Sequence, residues 1–403
     1  MVSRQYFMWE EQQRETLSDR IRPHLAEIAS RASAVEDARA VPSENIDIIR
    51  KVGFVRSFVP KRYGGDERSL KDYNHAIRLL TKACPSTGWV TGVLNIHQSG
   101  VVHYRKELQE EIWKTGPDTI ISSSGSPAMK AELVEGGIIV NGKGRWSSGC
   151  DHAEWAGVGV KLPDPSDRQF PERRYREHMF MVHKSQYRIE DDWYSKGMRG
   201  SGSKALVFDN VFIPQENIEG LDALNLGYAR GSGSVDSWIA HVCYSHIFAT
   251  FLPAIALGCA DGMIEEFRKR QRTRKNAYTS AQGILNPMGY IRLAEATHEL
   301  EAASLYYDHI LDTLEQNGRN KAKISEGLFW GVSAKLSYVT NCAVKVINSL
   351  FEGSGASAIA DFNPMQRYWR DGNTARLHQG MDYDSAKQAH GRYLIGLAPT
   401  PDL

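Results

Sequence analysis

The hydrophobic period of the chain changes twice, and this pattern constrains the fold more than any other feature. Up to about residue 103, and again from about 237, apolar residues recur at helical spacing. Between these parts, short β-branched runs separated by turn residues are typical of strands. We therefore predict an α+β fold with an N-terminal helical domain (1–118), a middle β-barrel domain (119–225) and a C-terminal four-helix bundle (226–403). The bundle helices are expected at 238–274, 290–316, 326–353 and 366–391.

Charge and cysteine content argue against several classes of protein. The 403 residues include 49 Lys or Arg and 48 Asp or Glu, so the net charge of +1 lacks the basic excess of nucleic-acid-binding proteins. The five cysteines are scattered without a CxxC pair, which predicts free thiols in a reducing compartment, the cytoplasm. The longest nearly apolar run, Ile247 to Ala260, is shorter than the roughly 20 residues that cross a bilayer. We expect neither a nucleic-acid partner nor a membrane.

The stretch from Gly144 to Glu154 interrupts the strand pattern and carries unusual chemistry. It follows an apolar run, Ile138 to Val140, that is bounded by Gly-Gly and Asn-Gly turns. A small hydroxyl residue beside a glycine lets a flat ligand approach the backbone closely and form hydrogen bonds. Three consecutive residues are therefore candidates for ligand binding: Trp146, Ser147 and Ser148. A capped turn with a buried Trp is the alternative interpretation.

Two histidines and a serine lie in apolar surroundings elsewhere in the chain. His97 and His378 follow apolar helical positions, and Ser123 lies at the end of a predicted strand. Histidine is the natural acid or base near neutral pH, although a lone histidine on an apolar face is often only a core residue. The sequence contains no Walker loop, no dinucleotide-binding glycine motif, no nucleophile elbow and no zinc-protease motif. Cys150 and His152 lack a second ligand pair, so we expect no metal.

Seven blocks of sequence together identify a family. Over nearly its whole length the chain resembles the oxygenase components of two-component flavin-dependent monooxygenases, which have the acyl-CoA dehydrogenase fold. The matching blocks are 41–45, 60–65, 134–138, 146–154, 201–204, 210–214 and 370–391. The resemblance implies reduced FMN or FAD supplied by a separate NAD(P)H:flavin reductase, and O2 as co-substrate. It also implies a C4a-hydroperoxyflavin that hydroxylates a small aromatic substrate, and a homotetramer.

The resemblance also implies roles for the candidate residues near the reacting atoms. Ser148 matches the serine that bonds near flavin N5, with Trp146 and Ser147 beside it. His378 matches the histidine at the C4a–N5 edge of the flavin. His97 and Ser123 match the pair that contacts the reacting hydroxyl of the substrate, with His97 as the base. These three residues (His97, Ser123 and His378) are therefore the predicted catalytic residues.

Further residues are implied at the edges of the site, each with a simpler alternative. Trp89 matches an aromatic wall of the substrate pocket, or it is plain core. Arg274 and Tyr278 match residues on the phosphate side of the flavin, although Arg274 lies in a basic run typical of a solvated helix end. The segment Gly353, Ser354 and Gly355 matches a loop that reaches the cofactor of a neighbouring subunit, or it simply ends a helix.

Two departures from the family pattern bear on the substrate. Where the p-hydroxyphenylacetate hydroxylases of this family have an Arg and a Tyr around the substrate carboxylate, this chain has Ser245 and Gly380. The loss of a cation and of two bulky side chains predicts a neutral and larger aromatic substrate, such as a polycyclic phenol or an indole.

Two other functions are compatible with the same fold. One is an N- or S-oxygenating relative, and the other is an acyl-CoA dehydrogenase-like flavoprotein. Gln379 and Phe248 align with the two places where dehydrogenases carry their catalytic Glu, and neither side chain can take a proton. This disfavours acyl-CoA dehydrogenation on chemical grounds.

Overall fold

The described residues of the N-terminal part form eight α-helices. The computed structural model describes residues 15–163, 175–273, 275, 283 and 286–399. Its first helices are α1 (Leu17–Ile21), α2 (Leu25–Ser30), α3 (Ala32–Ala38), α4 (Ser43–Val52), α5 (Leu70–Ala83), α6 (Pro85–Ile96), α7 (Gln98–Val101) and α8 (Lys106–Ile112). Every residue of α6 is buried, and its polar side chains Thr87, Thr91 and Asn95 form hydrogen bonds inside the protein. This central helix carries Trp89 and ends just before His97.

In the middle part, the described residues form eight strands in two sheets that share one core. The strands are β1 (Ile121–Ser124), β2 (Lys130–Val134), β3 (Gly137–Ser147), β4 (Trp155–Pro163), β5 (Tyr175–His183), β6 (Arg188–Glu190), β7 (Lys204–Pro214) and β8 (Ile218–Gly220). The sheet orders are β1-β4-β5-β8 and β2-β3-β7-β6. Ile138, Val158, Phe180 and Leu206 are among the inward side chains that fill the space between the sheets. The strand pattern of the sequence is thus confirmed.

The C-terminal part is dominated by long helices. After the short α9 (Leu221–Leu226) come α10 (Tyr244–Thr273), α11 (Pro287–Arg319), α12 (Glu326–Glu352), α13 (Pro364–Arg376) and α14 (Tyr383–Leu394). The helix α10 packs so closely on α6 that a Cβ at Gly92 would lie 2.5 Å from Phe251. In the described residues, α10 is the one helix long and apolar enough to cross a membrane, but 89% of its apolar window is buried inside the protein.

The prediction of a single last helix in the bundle is wrong. The segment predicted as one helix over 366–391 is two helices, α13 and α14, separated by a turn at 377–382. The turn is fixed because His378 Nδ1 accepts the backbone N–H of Gly380, and the Asp382 carboxylate accepts N–H groups at the start of α14. This break places His378 in a turn at the end of a helix. The boundaries proposed for the three domains stay predictions.

Candidate active site

Five rings from three separate parts of the chain form one cluster. Phe248 of α10 lies at its centre, with its ring 5.4 Å from that of His97 and 5.7 Å from that of His378. The Trp89 ring lies 5.9 Å from His378 and 5.7 Å from Phe251. The structure therefore brings together three residues predicted from distant sequence positions: Trp89, His97 and His378.

His97 is held in place by a tyrosine that the sequence analysis did not identify. Its Nδ1 lies 3.1 Å from the hydroxyl of Tyr244, the first residue of α10. Its Nε2 is buried and has no hydrogen-bond partner among the described residues. Burial lowers the pKa of His97 to about 3, so the imidazole is neutral at neutral pH. One ring nitrogen is thus occupied by Tyr244, while the other is available to a ligand.

A small uncharged cleft lies beside His97 and Tyr244. The other residues that line it are Gly100, Tyr104, Ile121, Gly157, Met179, Met181 and Leu224. Ser123 lies two residues from Ile121 on β1 and therefore on the same face of the strand, and it pairs with Gly157 of β4. The cleft has a volume of only about 10 Å³, so its own side chains nearly fill it. His97 thus lines the cleft itself, whereas Ser123 lies next to it in the strand, between the lining residue Ile121 and the end of β1.

Ser148 belongs to a hydrogen-bonded chain of three serines. The indole N–H of Trp89 donates to Ser148 Oγ at 2.9 Å. Ser148 Oγ lies 2.7 Å from Ser203 Oγ, which in turn lies 2.7 Å from Ser201 Oγ. Ser201 and Ser203 were missed as site residues, although the Ser-Gly-Ser-Lys block at 201–204 was the signal that could have identified them.

At the end of β3, the large Trp146 side chain is exposed and the small Ser147 side chain is buried, the reverse of what a capped turn with a buried Trp requires. Trp146 is 63% exposed and has φ +64°, a left-handed conformation that is strained for a bulky residue. Ser147 is fully buried, and its hydroxyl has no hydrogen-bond partner among the described residues. The alternative of a buried Trp is therefore wrong. An exposed ring beside an unpartnered hydroxyl and the Ser148 hydroxyl fits a flat, polar-edged cofactor such as a flavin.

Gly149 fixes the position of this turn against helix α6. It has φ +65°, and a Cβ on it would lie 2.7 Å from Val90 Cγ1 and 3.0 Å from Leu94 Cδ1. We expect Gly149→Ala to lower the free energy of unfolding by about 1–3 kcal/mol, from backbone strain and crowding together. Urea unfolding measures the loss.

A matched control separates strain from crowding. Gly136 in the β2–β3 turn has φ +78°, and nothing lies within 4 Å of a Cβ placed there. Gly136→Ala therefore reports the cost of the left-handed backbone alone, which is about 1 kcal/mol. An equal loss in the two variants would show that the contact with α6 does not constrain the turn.

The other predicted residues lie outside the ring cluster or beside it. Gly353, Ser354 and Gly355 end α12, where the Ser354 carbonyl accepts a hydrogen bond from Arg270. Arg270 is roughly 33 Å from Phe248 along α10, at 1.5 Å per residue. The segment 353–355 is therefore not part of the cluster, and its predicted role at a neighbouring subunit stays a prediction. Arg274 and Tyr278 lie outside the described residues.

Ser245 and Gly380 adjoin the site. Ser245 follows Tyr244 on α10 and is half-buried, and its backbone N–H donates to Asn225 Oδ1. A Cβ at Gly380 would lie 3.3 Å from both Leu252 and His378, so the missing side chain there leaves little free space. Gln379, which lies between His378 and Gly380 in the chain, is exposed. The expected widening of the pocket at Gly380 is therefore not visible in the packing.

The Cys150, Asp151 and His152 cluster has structural contacts instead of a metal-binding arrangement. Asp151 pairs with Lys204 at 2.8 Å, and His152 Nε2 lies 2.8 Å from the Val41 carbonyl. Among the described residues, no group of three or more His, Cys, Asp or Glu side chains could hold a metal ion. All five cysteines are free, as the sequence predicted.

Comparison with known proteins assigns this arrangement to a family. Residues 6–114 match the acyl-CoA dehydrogenase N-terminal domain, and residues 250–383 match the acyl-CoA dehydrogenase C-terminal domain. The chain is 36% identical to the p-hydroxyphenylacetate 3-hydroxylase oxygenase component of Acinetobacter baumannii, covering 96% of this chain and 91% of that protein. It is 32% identical to the flavin-dependent monooxygenase oxygenase subunit HsaA of Mycobacterium tuberculosis, covering 93% of this chain and 94% of that protein.

The solved structures agree with the sequence relatives. The crystal structure of the HsaA monooxygenase from M. tuberculosis superposes with a TM-score of 0.87 at 30% identity, covering 96% of this chain and 98% of that chain. The predicted fold class is therefore confirmed. Oxygenase components of two-component systems depend on reduced flavin and on a separate flavin reductase. The chain belongs to the flavin-dependent monooxygenases of the acyl-CoA dehydrogenase fold, as the oxygenase component of a two-component aromatic hydroxylase.

Proposed function

We propose that the protein hydroxylates a neutral, fairly large aromatic compound of the polycyclic phenol or indole type. The observation that carries this proposal is the pairing of His97 with Tyr244 in an uncharged cleft beside the ring cluster. Reduced FMN or FAD would supply the oxygen-transferring C4a-hydroperoxide after reaction with O2. The tasks of the protein are to bind the flavin, exclude water, and handle the proton of the substrate.

The turn at residues 146–149, here called the serine turn, and His378 are suited to hold the flavin ring. Ser148 would contact the flavin near N5, with Trp146 and Ser147 along the ring. Burial lowers the pKa of His378 to about 4, so its imidazole is neutral at neutral pH. Because Nδ1 accepts the N–H of Gly380, the proton of the neutral ring lies on Nε2, and that nitrogen is a donor. We infer that His378 donates a hydrogen bond at the C4a–N5 edge of the flavin.

His97 is placed to receive the proton of a phenol, or to accept a hydrogen bond from an indole N–H. In the tautomer in which Nδ1–H donates to Tyr244, the unpartnered Nε2 is an acceptor facing the cleft. A phenolate formed beside His97 would raise the low pKa of the imidazole, because an opposite charge favours the imidazolium. Ser123 would give the second hydrogen bond to the same substrate atom.

The lining of the cleft favours a neutral substrate. None of the described residues that line it is charged at neutral pH, and the p-hydroxyphenylacetate named for the A. baumannii relative is an acid. Arg230, near the cleft, is already paired with Glu219 at 2.6 Å. A ring larger than the cleft requires side-chain movement, and Met179 and Met181 are flexible enough to provide it. We also infer a homotetramer, because α11 and α14 leave large apolar side chains such as Leu305 and Leu394 exposed.

A rapid-mixing experiment tests the proposed oxygen chemistry. The protein is mixed with anaerobically reduced FMN or FAD and then with oxygenated buffer. We expect the near-ultraviolet absorbance of a C4a adduct to appear before that of oxidised flavin, because a dry site protects the adduct. Free flavin without protein is the control. Oxidation at the free-flavin rate with both cofactors would contradict the proposal.

A further inference from the structure

The serine chain has more hydrogen-bonding capacity than its internal bonds use. Ser148, Ser203 and Ser201 contribute three hydroxyl protons, and only two bonds join them. Each hydroxyl oxygen can also accept two hydrogen bonds. The Trp89 N–H, which can only donate, occupies one acceptor position of Ser148. What Ser148 can offer to a ligand therefore depends on the direction of its bond with Ser203.

The two possible directions suit different redox states of a flavin. If Ser148 donates to Ser203, its second lone pair is free and can accept a hydrogen bond. If Ser203 donates to Ser148, both lone pairs are used and Ser148 can only donate. N5 of a reduced flavin carries a proton and donates, whereas N5 of an oxidised flavin accepts. The direction of one buried hydrogen bond thus selects between reduced and oxidised cofactor.

The loop that carries Ser203 is held in place by a buried carboxylate. Asp371 of α13 is fully buried, and its Oδ1 accepts the backbone N–H of Met198 at 2.6 Å. Met198 has φ +49°, which is strained for a side chain of its size and is maintained by its surroundings. The Met198 carbonyl accepts the N–H of Ser201 at 3.0 Å. The Ser201 carbonyl accepts the N–H of Gly149 at 3.0 Å, and this bond joins the loop to the serine turn.

We propose that Ser203 is a positioning residue that accepts the proton of Ser148 and so makes Ser148 an acceptor for reduced flavin. The inference rests on the proposed function, in which Ser148 contacts N5. Ser203 itself does not need to touch the cofactor. It sets which redox state the site prefers, and this fits an oxygenase that takes its flavin already reduced from a reductase.

The test compares binding of the two redox states of FMN. Reduced FMN is titrated anaerobically and oxidised FMN aerobically, and the ratio of the two dissociation constants is determined. Ser203→Ala is expected to lower the preference for reduced FMN about tenfold, the effect of one lost hydrogen bond. Ser30→Ala, at an exposed position of α2 outside the serine chain, is the matched control, with a ratio within about twofold of wild type. Thermal melts check that each variant is folded.

The outcomes separate this inference from the proposed function. Loss of preference in both Ser148→Ala and Ser203→Ala supports the inference. Loss in Ser148→Ala alone overturns it and leaves the contact of Ser148 with N5 intact. If neither variant changes the ratio, Ser148 does not contact N5, and both the inference and that contact are overturned. If Ser203→Ala does not fold, Ser203→Cys provides the same comparison, because its sulfur is a weak acceptor of similar size.

Discussion

Replacing His97 by Ala is expected to slow hydroxylation of a phenolic substrate by about 10²- to 10⁴-fold, the usual contribution of a general base. The reaction of bound reduced flavin with O2 should change little, because the serine turn and His378 are not altered. The physical reason is the unpartnered Nε2 of His97, which is the buried basic atom that faces the cleft. Stopped-flow kinetics resolve the two steps, since adduct formation and its decay with substrate absorb differently.

Tyr244→Phe is the matched control for this prediction. It keeps the aromatic packing beside Phe248 but removes the hydroxyl that lies 3.1 Å from His97 Nδ1. We expect a smaller loss than in His97→Ala, because the base is present but less well oriented. Equal slowing of both steps in His97→Ala would contradict the base assignment. Full activity in His97→Ala would favour oxygenation of a nitrogen or sulfur lone pair, which needs no base.

Asp371→Asn is expected to remove a large pH dependence of stability. The pKa of Asp371 is raised to about 7, mainly by burial and in addition by Glu36, against the opposing effects of the Met198 N–H, Arg370 and Arg367. An aspartate has a pKa near 4 when unfolded, so the folded state holds a proton that the unfolded state has lost between about pH 4 and 7. Stability contributed by this group therefore falls as pH rises through that window and is constant above it. The fall from pH 4 to 8 is up to about 4 kcal/mol, at about 1.4 kcal/mol per pKa unit.

The amide does not titrate, so the variant should lack this fall. Melting temperatures of wild type and Asp371→Asn, measured from pH 5 to pH 9, should converge at low pH and separate at high pH, with the variant higher. Asp209→Asn, at an exposed position of β7, is the matched carboxyl-to-amide control. Parallel profiles for Asp371→Asn and wild type would show that Asp371 is ionised across the whole range.

Local patterns were sufficient to determine the order and type of the elements. The change from helical to strand spacing and back is a property of neighbouring residues, and it correctly placed strands between two helical parts. The turn at Gly149 could be located in the same way, because Gly and small hydroxyl residues interrupt a strand locally. The break at His378 could not, since α13 and α14 have similar helical spacing and the turn depends on a hydrogen bond of the histidine side chain.

The sequence by itself was enough to predict which residues carry chemistry, and the tertiary structure decided which partners they have. His97, Ser148 and His378 were named from motifs, but the roles of Tyr244, Ser203 and Asp371 follow only from contacts between segments far apart in the chain. Side-chain burial likewise excluded the alternative of a buried Trp146, because this ring is exposed on a strained backbone. The physical reason is that a pKa, a tautomer or an unpartnered hydroxyl depends on surroundings that folding assembles from the whole chain.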